Sequence, residues 1–154
     1  MIEIEVEDPA WLRRLPCVAE LARAAAEAAL EGYDGDDVVI LLADDETVMD
    51  LNARFLGKHA STNVLSFPAA AHAGGHLGDI ALASGVCARE AAEQGKTLAD
   101  HLRHLVIHGV LHLLGYDHAD DAEAKRMETL ERDLLAGLGV ADPYAFGDDV
   151  QHTR

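Results

Sequence analysis

The chain has 154 residues, 49% of them apolar, with 12 Lys and Arg against 28 Asp and Glu for a formal net charge of −16. That suits one globular domain with a full core and excludes a disordered chain, and its sign excludes a protein that holds nucleic acid by overall basicity. Two cysteines are no disulfide scaffold, and nowhere is there the run of ~20 apolar residues that a membrane span needs.

Residues 2–6 alternate apolar and acidic side chains and read as a strand. This start lacks the positive charge and apolar run of a signal peptide, so a cytoplasmic protein is expected, with Cys17 and Cys87 as buried, reduced thiols. After Pro9, residues 11–31 read as one Ala- and Leu-rich helix ending at Gly32, and the apolar run 38–42 reads as a strand covered on both faces. Asp44 or Asp45 caps a helix that reaches about Phe55 and stops at Gly57. Residues 63–67 form a short strand closed by Pro68, 69–75 a loop, and 79–83 a further strand. Ser84 is the expected cap of a helix over 84–94; a long apolar helix spans 97–114 and ends at Gly115. An amphipathic helix over 120–138 follows, then an acidic, loose tail from about 140. Strands and helices mix without a strict alternation, which predicts an α+β fold: one domain over 1–154, a four-stranded sheet packed with about five helices.

The chemistry concentrates in His108-Gly109-Val110-Leu111-His112-Leu113-Leu114-Gly115-Tyr116-Asp117-His118. Two histidines four apart on a helix share a face about one turn apart. Gly115 allows the chain to reverse, and His118 can swing back as a third nitrogen donor. Three His ligands that leave a fourth position open are the pattern of a catalytic zinc centre rather than a closed structural one. The same ligand chemistry suits nickel or another divalent transition metal. The spacing is that of the long metalloprotease signature, but those proteases carry a Glu general base directly after the first His, where this chain has Gly109. Peptide hydrolysis is therefore disfavoured.

This segment resembles the YbeY-type endoribonucleases of bacterial ribosomal RNA maturation, whose signature HGxLHLxGYDH it matches at every specified position. The resemblance covers about residues 36–133 and includes Leu51-Asn52, Gly57-Lys58, residues 62–68, Gly78-Asp79-Ile80 and His104. It implies a mixed four-stranded sheet related to the zinc-metalloprotease arrangement. It also implies a metal-dependent, single-strand-specific endoribonuclease with His108, His112 and His118 as ligands. The role it implies is maturation of the 3′ end of 16S rRNA, 30S subunit biogenesis and ribosome quality control, with the small subunit, its proteins or assembly factors as partners.

One departure stands out: the arginine that the family places before Gly-Lys is Leu56 here. Lys58 is the better candidate to supply the positive charge, since Arg54 lies ~200° round the helix from Leu56. Lys gives a point charge rather than a bidentate fork to phosphate. A ribosome-associated binding factor with a mainly structural metal is the alternative that Leu56 favours, with a metal-dependent hydrolase of another substrate as a third.

Around the ligands, Asp117 suits either a proton acceptor or a turn cap. His101, His104, His108 and His112 fall within about 80° on the helical wheel. His104 is placed to orient a ligand or touch substrate, His101 is read as surface, and Met127 as core. Thr62, Asn63 and Ser66 offer polar groups for substrate or for turn and strand-edge bonding. His72 and His76 flank a glycine pair without an assigned role. Water and the RNA 2′-hydroxyl both remain open as nucleophile.

The acidity is unevenly spread. Residues 1–50 carry 3 basic and 14 acidic side chains, and residues 111–154 carry 4 and 10. Residues 51–110 carry 5 basic against 4 acidic side chains and six histidines. Acidic flanks around a near-neutral middle predict weak, salt-sensitive binding to random RNA and targeting by a ribosomal partner.

Overall fold

The structure, a computed structural model, describes residues 1–33, 37–69 and 75–144. Four strands, β1 (Ile2–Val6), β2 (Asp37–Ala43), β3 (Val64–Pro68) and β4 (His76–Ala83), form one mixed sheet in the order β1-β2-β4-β3. β1, β2 and β4 are parallel, and β3 runs antiparallel along β4, with Val64 opposite Leu82 and Ser66 opposite Ile80. The described residues form six helices: α1 (Ala10–Arg14), α2 (Val18–Ala29), α3 (Asp45–Leu56), α4 (Ser84–Glu93), α5 (Leu98–Leu113) and α6 (Asp121–Gly137). The α+β reading holds.

Strand alternation divides the core. Val38, Ile40, Leu42, Ile80 and Leu82 point to one face, where they pack with α2, α5 and α6. Ala43, Leu65, Ala81 and Ala83 point to the other, against Val48 and Leu51 of α3. β2 is thus covered on both faces, as its unbroken apolar run requires. β1 sits at the edge and keeps Glu3 and Glu5 exposed on the α3 side. Each fully buried Leu or Ile contributes roughly 1.5–3 kcal/mol. α5 carries more buried residues than any other helix, being packed by α2, α4, α6 and the sheet. A helix held on so many sides is a rigid base for side chains projecting from its one open stripe.

Several local expectations change. The single helix over 11–31 is two, because Pro16 has no N–H to give and forces Leu15 into an extended conformation (φ −139°, ψ 92°). The break seats Trp11 in the core, with its indole N–H donating to the Ala43 carbonyl at 3.0 Å. Ser84 is not a cap: its hydroxyl donates to Asp8 at 2.5 Å, and Ala83 holds the cap position of α4 without a side-chain bond. Asp44, Thr97 and Asp120 do cap α3, α5 and α6, each accepting from the backbone N–H three residues on. Cys17 is exposed, whereas Cys87 is buried and its thiol is pushed up by burial.

The expected loose tail begins in contact with the fold: Val140 is buried and Tyr144 reaches Glu131, while residues 145–154 lie outside the described residues. His72 also lies outside them. Among the described residues no helix is long and apolar enough to cross a membrane.

Candidate metal centre

α5 carries His104, His108 and His112 along one stripe at intervals of four, so successive rings stand one above the next. The Nε2 atoms of His108 and His112 lie 3.1 Å apart. α5 then ends: Gly115 takes φ +104°, and Tyr116 N–H returns to the Leu111 carbonyl at 3.0 Å. That reversal brings His118 beside the pair, with its ring centroid 5.1 Å from His112 and 5.9 Å from His108. One nitrogen from each of the three lies within 4.8 Å of the others.

The protons on these rings are fixed by their other partners. His112 Nδ1–H donates to the Tyr116 carbonyl at 3.0 Å, and His108 Nδ1–H donates to the Glu131 carboxylate at 2.7 Å. Carbonyl and carboxylate oxygens only accept, so both rings carry their proton on Nδ1 and turn a bare Nε2 to the same point. Without an ion, two nitrogen lone pairs 3.1 Å apart repel. Tetrahedral coordination with Zn–N of ~2.0–2.1 Å places ligand nitrogens about 3.3 Å apart, so the donor set fits a zinc-sized ion. Burial, aided by the neighbouring His108 and His118, pushes His112 below the usual imidazole range, the direction that favours a metal ligand.

Glu131, on α6, is the residue that sequence reasoning misses. It is fully buried, and it also accepts from His104 Nε2–H at 2.7 Å and from the Tyr144 hydroxyl. Burial alone would raise its carboxyl, but the N–H groups of His104 and His108 outweigh that and hold it well below the usual range. Burial likewise lowers His104, whose Nδ1 is buried without a partner. A signal did exist in the sequence: Glu131 lies four residues after Met127 and four before Leu135, in the apolar stripe of α6.

The remaining candidates fall elsewhere. His101 is not on the surface; it is 3% exposed and bonds Glu90 at 2.9 Å. Asn63 donates to the same Glu90 at 2.9 Å and accepts from Val64 N–H, and Ser66 donates to the Gly109 carbonyl at 3.1 Å. Thr62 is half-buried just before β3. Asp117 accepts from the His118 backbone N–H at 2.8 Å, a turn contact that orders the approach of the third His. Arg54 pairs with Asp50 on the exposed side of α3, Leu56 ends that helix half-exposed, and Lys58 follows the left-handed Gly57. α3 packs on the face of the sheet opposite α5. His76 pairs with Asp79 at 3.0 Å.

The sequence profile of the Endoribonuclease YbeY family matches residues 6–139. Three proteins described as Endoribonuclease YbeY are similar to this chain. That of Maricaulis maris is 54% identical, covering 96% of this chain and 93% of its own. That of Paramagnetospirillum magneticum is 50% identical over 93% and 94%, and that of Azorhizobium caulinodans 48% over 94% and 96%. The solution structure of TM1509 from Thermotoga maritima shares the fold, with a TM-score of 0.63, 26% identity, and coverage of 97% of this chain and 93% of that one. A profile match over most of the chain, relatives about half identical along their length and a shared fold together show that the chain belongs to the endoribonuclease YbeY family.

Proposed function

We propose that the protein is a zinc-dependent endoribonuclease that cuts single-stranded ribosomal RNA. In this reading it matures the 3′ end of 16S rRNA, in the cytoplasm, during assembly and quality control of the small ribosomal subunit. The observation that carries the reading is the convergence of two bare imidazole nitrogens, 3.1 Å apart, with a third His beside them, in a chain of an endoribonuclease family. His108, His112 and His118 would hold the ion; nickel or another divalent metal fits the same ligands.

Held by His108, His112 and His118, a divalent ion would supply positive charge for a phosphoryl oxygen and would lower the pKa of a water from ~15.7 toward ~7. The protein's own groups prepare for that chemistry. Tyr116 and Glu131 hold the ligand protons on Nδ1, and Asp117 orders the turn that delivers His118. Lys58 would supply a cation near the position where the family carries arginine, and Thr62 lies just before β3; His104 stands behind His108 on Glu131, and the side chains of Asn63, Ser66 and Arg54 are engaged by Glu90, the Gly109 carbonyl and Asp50. Because the flanks are acidic, RNA is offered to the site by the small subunit or its assembly factors rather than captured by charge.

The test is a His112→Ala protein, assayed for bound metal and for cleavage of a defined precursor rRNA. Both are expected to be lost. Retained cleavage in a metal-free variant would overturn the reading, and loss of cleavage with metal retained would leave His112 outside the ligand set.

A further inference from the structure

Behind the three histidines, the carboxylate that bonds His108 is itself held by further groups. Glu131 is 0% exposed; its Oε2 accepts His108 Nδ1–H at 2.7 Å, and its Oε1 accepts both His104 Nε2–H at 2.7 Å and the Tyr144 hydroxyl. The segment beyond α6 is folded back to make the last of these contacts. Asp142 accepts from the Tyr144 backbone N–H at 2.8 Å and from Arg132 Nε at 3.1 Å. The Arg132 guanidinium lies 5.3 Å from the Tyr144 ring centre, and that ring meets His104 edge-on at 5.4 Å.

We infer that Glu131 is a positioning residue for the metal centre, holding His108 with its Nε2 toward the ion, and that the turn through Asp142 and Tyr144 clamps Glu131 in that role. The inference rests on the reading of His108, His112 and His118 as the ligand set. A carboxylate with both oxygens engaged by donors cannot rotate or surrender an acceptor without breaking another bond. It therefore fixes the proton on His108 Nδ1 and the plane of the ring together. His112 receives the same service from a backbone carbonyl, whereas the partner of His108 is charged, which makes that ring a stronger donor. A carboxylate this deeply buried also needs positive charge nearby, and a dication across the His108 ring would provide it. The clamp explains why residues 140–144 hold to the body of the protein despite their position past the last helix.

Glutamine at 131 keeps the shape but offers one acceptor oxygen and turns an NH₂ toward the other imidazole, so the proton pattern cannot survive. The experiment measures zinc affinity of metal-depleted protein by chelator competition, metal stoichiometry, and the visible spectrum of the Co²⁺ form. Variants are Glu131→Gln, Tyr144→Phe and, as comparator, His112→Ala. The inference predicts one ion per chain, an affinity drop of roughly 10–100-fold and an altered Co²⁺ spectrum for E131Q, and a several-fold drop for Y144F. E131Q within twofold of wild type, with H112A defective, would overturn the inference alone; unchanged binding by H112A would overturn the metal-site reading beneath it. Two ions in wild type and one in E131Q would also overturn it, since His104, His108 and Glu131 would then be ligands themselves. Should E131Q fail to fold by circular dichroism, Y144F decides: wild-type affinity there contradicts the clamp.

Discussion

Gly109 lies against Ile80: a Cβ at position 109 would stand 3.1 Å from both the Cδ1 and Cγ2 atoms of Ile80, and 3.3 Å from the Ser66 hydroxyl. The position at which peptidases with the long zinc signature carry their general base therefore packs, in this protein, directly against β4 and β3. The glycine lets α5 sit close on the sheet, and Ser66 donates to its carbonyl in that contact.

Gly109→Glu would press a carboxylate into this contact. Overpacking and the burial of a charge without a partner predict a loss of about 2–4 kcal/mol, read by urea denaturation of metal-free protein. No peptidase activity should appear. A stable variant that hydrolyses peptides would show that the close packing of α5 is not what separates the two chemistries.

Leu56→Arg restores the family residue at the exposed end of α3. Leu56 is half-exposed, so stability should change by less than about 0.5 kcal/mol. Cleavage of a defined precursor rRNA should rise, because a guanidinium can fork onto phosphate where Lys58 cannot. Lys58→Ala in the wild-type background should lower it. Equal rates for all three proteins would remove this corner of the molecule from RNA cleavage.

Much of this architecture is legible in the sequence. The His108–His118 segment carries its own geometry, because helix spacing fixes two ligands and Gly115 fixes the turn that returns the third. Capping residues and apolar runs place the strands and the larger helices. What is not legible depends on distant partners. Pro16 breaks the first helix by local sterics, but the seat that the break gives Trp11, on the Ala43 carbonyl 32 positions on, is set by the fold. His101 looks like a surface residue until Glu90, eleven positions earlier, is brought beneath it. Glu131 sits 23 residues from the ring it holds, on a helix rich in exposed acids, and only its place in an apolar stripe distinguishes it.

Glu90 gives a pH signature. Burial would raise its carboxyl, but bonds from His101 and Asn63 more than offset this and hold it below the usual range. A lowered acid contributes stability above its unfolded pKa of ~4.3 and loses it as pH falls through the folded value. Glu90→Gln should therefore melt below wild type at pH 7, with the gap closing below about pH 4. Melting curves of both proteins in chelator, from pH 3 to 7, check this; a constant gap contradicts it.

Gly78 meets a harder limit than Gly109. A Cβ there would lie 2.6 Å from the Phe67 carbonyl oxygen and 2.6 Å from Leu113 Cδ2. Backbone cannot move aside as a side chain can, so Gly78→Ala should cost more than about 2 kcal/mol by displacing β3 from β4. Denaturant titration measures it, and a neutral result would mean that the β3–β4 pairing is looser than described.

In the proposed function, RNA cleavage requires an ion held by His108, His112 and His118. Metal-depleted protein titrated with zinc, with cleavage of single-stranded precursor rRNA followed in the same samples, reads that requirement out. Activity should be absent at the start, climb in proportion to zinc, and level off at about one equivalent per chain. Full cleavage before any zinc is added, in protein shown to be free of metal, would contradict it.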